Sequence, residues 1–127
     1  MNTDAQSLEP RLGVLTPLEI DYMQFKNKPY EEIREASTSC RLPIAKAIID
    51  KDYDKIKEYV TNPNHTIENN LYRQTPLMLA ALINDATSVN ILMREAGMMD
   101  HDFNQAIDFT TSDEIKDMLF YYGESSK

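Results

Sequence analysis

The stretch Thr75-Pro76-Leu77-Met78-Leu79-Ala80-Ala81 decides the fold of this chain. Thr75 is a favourable N-cap and Pro76 suits the first helical position, so a helix is predicted to begin here. Leu77 and Leu79 make this helix apolar, and the adjacent Ala80 and Ala81 let a neighbouring element approach it closely. Because an isolated helix of fewer than about 12 residues is marginal in water, this one requires neighbours to pack against.

The same stretch resembles the Thr-Pro-Leu-x-Leu-Ala-Ala signature of the ankyrin repeat, in which a short inner helix begins at Thr-Pro. The family pattern continues with an outer helix carrying Val-x-x-Leu-Leu, which reads Val89-Asn90-Ile91-Leu92-Met93 in this chain. Before the Thr, the family has an Asp-x-x-Gly-x turn, and this chain has Asn70-Leu71-Tyr72-Arg73-Gln74. Arg73 replaces the usual Gly, so this turn is expected to be strained or differently shaped. The resemblance implies a non-catalytic stack of helix-turn-helix units that binds a protein partner.

A repeat protein must show its pattern more than once, because each unit buries its apolar face only against a neighbour. The segment around Pro43 aligns with the signature at Pro76, and the distance between the two prolines matches the repeat length expected for the family. Helices are predicted at about 43–49 and 53–61, and a weaker copy begins near Asp100. A capping box, Thr111-x-x-Glu114, is expected to open the last helix. We therefore predict an all-α fold, an ankyrin-repeat helix-turn-helix stack of about three units (37–69, 70–99 and 100–123), the last degenerate.

The two ends of the chain depart from the repeat. Residues 1–14 have no periodicity and are predicted to be a flexible lead-in. Residues 15–36 are predicted to form a helical N-terminal cap, with a second helix at about 29–36. Residues 124–127 are expected to be a frayed tail.

Composition and charge restrict the class of protein. The chain has 127 residues, enough for one domain, and its 42% hydrophobic and 27% charged content is typical of soluble globular proteins. The net charge of −8 argues against nucleic acid and anionic membranes as partners and permits a basic protein partner. No apolar run approaches the length of a membrane span and no secretory signal is recognised. A cytoplasmic location is expected, with the nucleus as the alternative.

Candidate chemistry is weak. Asp50-x-Asp52-x-Asp54 imitates the start of a calcium loop but lacks the required Gly and Glu, so it is interpreted as a polar turn that caps a helix. Cys40 is the single cysteine, and neither His65 nor His101 has a spacing that predicts a catalytic pair or a metal site. We predict no enzyme activity, no cofactor and no metal.

The resemblance implies a partner-binding surface on the concave side of the stack. Carried over position by position, it comprises Arg41, Ile49, Asp50, Asn69, Leu71, Tyr72, Gln74, Leu82, Ile83, His101 and Asp102. Tyr72, Leu82 and Ile83 would be apolar anchors, because exposed apolar patches mark interaction sites. The alternative is that Leu82 and Ile83 pack against the next unit and that Leu71 merely steadies its loop. Two further functions stay open: a small acidic inhibitor of a basic enzyme or groove, and a constitutive subunit of a larger complex.

Overall fold

The computed structural model describes residues 21–37, 43–62 and 69–127, and within these ranges the chain forms helices and turns without a β-strand. The α-helices are α1 (Tyr30–Ala36), α2 (Pro43–Ile49), α3 (Tyr53–Thr61), α4 (Pro76–Leu82), α5 (Ala86–Ile91) and α6 (Asp113–Tyr121). In the same described ranges, 3₁₀ helices cover Tyr22–Phe25, Met93–Glu95 and Ala106–Asp108. The all-α prediction is confirmed, while the predicted lead-in 1–14 and the start of the predicted cap lie outside the described residues. None of the described helices has the length and apolar content needed to cross a membrane.

Helix α4 lies at the centre of the fold, and it begins as its sequence predicts. The Thr75 hydroxyl accepts the Met78 N–H at 3.3 Å, and Pro76 is the first helical residue. All the residues of α4 are buried. The helix packs against α2, α5, Tyr22–Phe25 and Ala106–Asp108, so it has neighbours from four parts of the chain.

The connection between helices recurs at equivalent positions of two helix pairs. Lys51 (φ 56°) follows α2 and Asn84 (φ 57°) follows α4, and both adopt the left-handed conformation. The next residue in each case is an aspartate N-cap: Asp52 accepts the backbone N–H of Lys55, and Asp85 accepts that of Thr87. The two helix pairs α2–α3 and α4–α5 are thus joined by equivalent turns, and the predicted capping role of Asp52 is confirmed.

The last helix pair is shortened, because its inner element is only the 3₁₀ turn Ala106–Asp108. The N-cap of α6 is Ser112, whose hydroxyl accepts the Ile115 N–H at 3.2 Å. The prediction that Thr111 caps this helix is wrong by one position. The Thr111 hydroxyl instead accepts a hydrogen bond from the Asn84 side-chain amide at 2.9 Å, which links the segment before α6 to the turn after α4.

Two buried glutamates accept hydrogen bonds from the first turns of α4 and of the 3₁₀ helix Ala106–Asp108 in the same way. Glu95 accepts the Leu77 N–H at 2.9 Å, and Glu124 accepts the Ile107 N–H at 2.8 Å. Each N–H is the second of its helical element, where the backbone has no partner within the helix. Burial raises the pKa of Glu95, and the hydrogen bond from the Leu77 N–H lowers it by a smaller amount, so the pKa is about 7. Burial likewise raises the pKa of Glu124, although the Gly97 and Ile107 N–H groups act against it.

The C-terminal tail is held in place rather than frayed. The buried Glu124 side chain accepts hydrogen bonds from Gly97 and Ile107. The Ser125 N–H donates to the Gln105 side chain at 3.1 Å, and the Lys127 N–H donates to Asp108 at 2.9 Å. The prediction of a frayed tail is therefore wrong, because it took no account of carboxylate and amide acceptors elsewhere in the fold.

Candidate functional site

Two short turns, 70–74 and 100–104, have the same backbone signature; we refer to them as the paired turns. The fourth residue of each is left-handed, Arg73 with φ 63° and Phe103 with φ 65°. Neither residue is glycine, so each conformation costs about 1–2 kcal/mol. The strain predicted at Arg73 is confirmed by its backbone angle, and the surrounding contacts must hold both turns in place.

The first side chain of each turn fixes the backbone that follows it. Asn70 Oδ1 accepts the N–H groups of Tyr72 at 2.9 Å and Gln74 at 3.0 Å. Asp100 Oδ1 accepts the N–H groups of Asp102 and Asn104, both at 2.8 Å. Both turns are therefore held by a buried amide or carboxylate oxygen.

Gln74 joins the two turns through both ends of its side-chain amide. Its Nε2 donates to Asp100 at 3.2 Å and to Asp21 at 2.7 Å. Its Oε1 accepts from the Asn70 side chain at 2.9 Å and from the Tyr22 N–H at 2.8 Å. Gln74 is only 1% exposed, so the prediction that it contacts a partner is wrong. Its buried side chain instead stabilises the paired turns through hydrogen bonds to Asn70 and Asp100.

The electrostatics of this network favour an ionised Asp100. Burial raises the pKa of its carboxyl, but hydrogen bonds from Asn104, from Gln74 and from the Asp102 N–H outweigh burial and hold the pKa below its ordinary value. The carboxylate therefore stays charged at neutral pH and keeps accepting hydrogen bonds from both turns.

The paired turns also meet directly at their outer edges. The His101 N–H donates to the Tyr72 carbonyl at 3.0 Å, and His101 Nδ1 lies 3.1 Å from the same oxygen. The ring centroids of Tyr72 and His101 lie 5.2 Å apart, and Asp102 Oδ2 lies 3.4 Å from His101 Nε2. The structure thus brings Tyr72, His101 and Asp102 together, all of which were predicted site residues.

Large apolar side chains project from the paired turns into solvent. Leu71 is 68% exposed and Phe103 is 71% exposed. Arg73 of the first turn also lines an open depression of about 400 Å³, together with Asn69, Thr75, Met98 and Met99. Of these lining residues, Asn69 was predicted from the sequence, and it is exposed.

Three residues predicted on the binding surface are core residues instead. Leu82 is 4% exposed, Ile83 8% and Ile49 4%. Helices α2 and α4 pack against each other and against further elements, so these side chains are covered by the fold itself. The alternative prediction, in which Leu82 and Ile83 pack internally, is the one that the structure supports. Asp50 is exposed but lies in the turn after α2, and Arg41 lies outside the described residues.

Phe103 and the Met98–Met99 pair were missed as site residues. The sequence did hold a signal for Phe103, since it is a large apolar residue in a turn of otherwise polar residues, at the position equivalent to Arg73. For Met98 and Met99 the local signal is Gly97, which predicts the end of a helix and so places both methionines in a loop, although methionine mostly fills gaps in cores.

Within the described ranges, no group of three or more His, Cys, Asp and Glu residues is arranged to hold a metal ion. Cys40 and His65 lie outside those ranges. No family model, curated protein or solved structure matches this chain. The function is therefore inferred from the geometry of the paired turns.

Proposed function

We propose that this chain is a short ankyrin-like repeat protein that binds a protein partner through the paired turns and catalyses no reaction. The ankyrin-like assignment is supported by the Thr75-Pro76 helix start and by equivalent left-handed turns at Lys51 and Asn84. The spacing between these two turns is the same as that between Pro43 and Pro76, and it agrees with the repeat length of the family.

The observation that carries the binding proposal is the exposure of Leu71 and Phe103 on a rigid support. Both side chains are about two-thirds exposed, although the backbone beneath them is held by the buried Gln74 network. A surface that is already ordered loses little conformational entropy on binding, so its apolar contacts contribute more fully to affinity. Leu71 and Phe103 would enter apolar pockets of the partner, while Tyr72, His101 and Asp102 would form a polar rim.

The test replaces both apolar tips, in the variant Leu71→Ser/Phe103→Ser, and uses it as bait beside the wild-type chain in a lysate of the source cells. We expect every partner that depends on the paired turns to be lost while the melting temperature is retained, because both side chains are exposed. Lys57→Ala/Glu58→Ala is the control, since it truncates two exposed side chains of α3 outside the turns and leaves the net charge unchanged. A double variant that folds normally and keeps every partner would refute the proposal.

The net charge of −8 favours a second candidate function, inhibition of an enzyme with a basic groove. Attraction between opposite charges weakens as ionic strength rises. Association that persists unchanged from about 0.05 M to 0.5 M salt would exclude this function and leave the apolar contact as the main source of affinity.

A further inference from the structure

Helix α6 buries one face and leaves the other exposed. Ile115 and Leu119 are buried against the rest of the fold. At about 100° per residue, the opposite face carries an acidic end and an aromatic end. We call this face the α6 outer stripe, and it consists of Asp113, Asp117, Phe120 and Tyr121, all exposed.

The aromatic end of the stripe is exposed to solvent in this structure. Phe120 is 70% exposed and Tyr121 is 83% exposed, and the Tyr122 ring lies 5.4 Å from that of Tyr121 in an edge-on arrangement. Single exposed apolar residues are common, but three consecutive exposed aromatic residues, two of them in ring contact, are of the kind that marks an interaction site.

The acidic end defines the chemistry of the occupant. Within the described part of the chain, neither Asp113 nor Asp117 forms an ion pair. Asp117 precedes Phe120 by three positions and Tyr121 by four, so its carboxylate shares a face with both rings. A guanidinium group can bond a carboxylate and stack on an aromatic ring at the same time, which an ammonium group does less well. A second copy of the chain would bring the same negative charges, and its net charge of −8 opposes self-association.

We propose that the α6 outer stripe binds an arginine-bearing basic segment of a protein partner, with the guanidinium groups placed between Asp117 and the rings of Phe120 and Tyr121. This surface is distinct from the paired turns, so the proposal does not depend on their function. Asp113 extends the negative charge one turn further along the helix and accommodates a second arginine.

The test measures binding of a fluorescein-labelled peptide of four Arg-Ala pairs, by fluorescence anisotropy with the full chain at low salt. We expect about tenfold weaker binding for Phe120→Ser/Tyr121→Ser and for Asp113→Asn/Asp117→Asn. Tyr121→Phe should bind as the wild type does, because the ring face is retained. A peptide that alternates Lys and Ala should bind more weakly than the Arg peptide.

The matched control is Glu31→Gln/Glu32→Gln, which removes the same two negative charges from the exposed face of α1, where no aromatic stripe is present among the described residues. It should reduce binding less than about twofold, by the long-range charge effect alone. Equal losses in the control and in Asp113→Asn/Asp117→Asn would overturn the proposal, since binding would then report net charge only. Absence of peptide binding would also overturn it, as would a dimer at micromolar concentration that Phe120→Ser/Tyr121→Ser abolishes.

Discussion

The ionisation of Glu95 should make the protein less stable as pH rises through neutrality. Its pKa in the folded chain is about 7, against an ordinary value of 4.5, and burial is the main cause. Between these values the folded chain binds a proton that the unfolded chain has released, so the free energy of unfolding falls with pH. A difference of about 2.5 pKa units corresponds to about 3 kcal/mol. That is a large part of the total stability of a small domain, which is typically about 5–15 kcal/mol.

The geometry around Glu95 gives the physical reason. One carboxylate oxygen accepts the Leu77 N–H, but the other, Oε2, is buried with no hydrogen-bond partner among the described residues. A buried charge with half of its acceptors unused is poorly compensated. The nearby Arg94 lowers the pKa, but less than burial raises it.

The assay is urea unfolding of the wild type and of Glu95→Gln at pH 5 and pH 8. Glutamine keeps an acceptor for the Leu77 N–H and has no charge. The free energy of unfolding of the variant should therefore lack the pH dependence that the ionisation of Glu95 causes in the wild type. Relative to the wild type, the variant should gain about 2–3 kcal/mol between pH 5 and pH 8, because a small part of the full effect is already present at pH 5. Comparing the two proteins at each pH cancels all other groups that titrate. Glu114→Gln, at an exposed position of α6, is the control and should show no such change.

A difference between Glu95→Gln and the wild type that is the same at both pH values would refute the reasoning. It would mean that the folded and unfolded chains bind the same number of protons over this range, so that folding does not raise the pKa of Glu95. A variant that is more stable at pH 5 than at pH 8, relative to the wild type, would contradict even the sign of the effect.

Two further predictions concern the paired turns. Gln74→Leu removes the amide that joins Asn70 to Asp100 and leaves buried polar groups unpaired, so it should lower the free energy of unfolding by about 2–4 kcal/mol in urea titrations. Phe103→Gly should raise stability by about 1 kcal/mol in the same titrations, because glycine adopts φ 65° without strain. Phe103→Gly should also weaken partner capture, and a loss of stability on this substitution would contradict the assignment of strain to Phe103.

Much of the helical framework could be predicted, because its signals are local. The bounds of α2 and α3 match the predicted ranges, since Pro43 starts one helix and Asp52 caps the other through contacts within a few residues. The start of α4 at Pro76 follows from Thr75 in the same way. The candidate site was predicted only in part: Leu71 and Tyr72 lie on the paired turns, whereas the anchors placed at Leu82 and Ile83 are buried.

By itself, the sequence determined the bounds of α2 and α3, the start of α4 and the repeated spacing of Pro43 and Pro76, because caps, prolines and apolar periodicity act over one or two turns of the chain. Only the tertiary structure decided which apolar side chains remain exposed to solvent and which carboxylates are buried away from it. It also decided which side chains that are distant in the sequence contact each other. Gln74 contacts Asp21 and Asp100, both far from it along the chain, and neither contact has a local signature. Burial and long-range hydrogen bonds are properties of the packed chain, so Glu95 and the paired turns acquired their chemistry only when the helices came together.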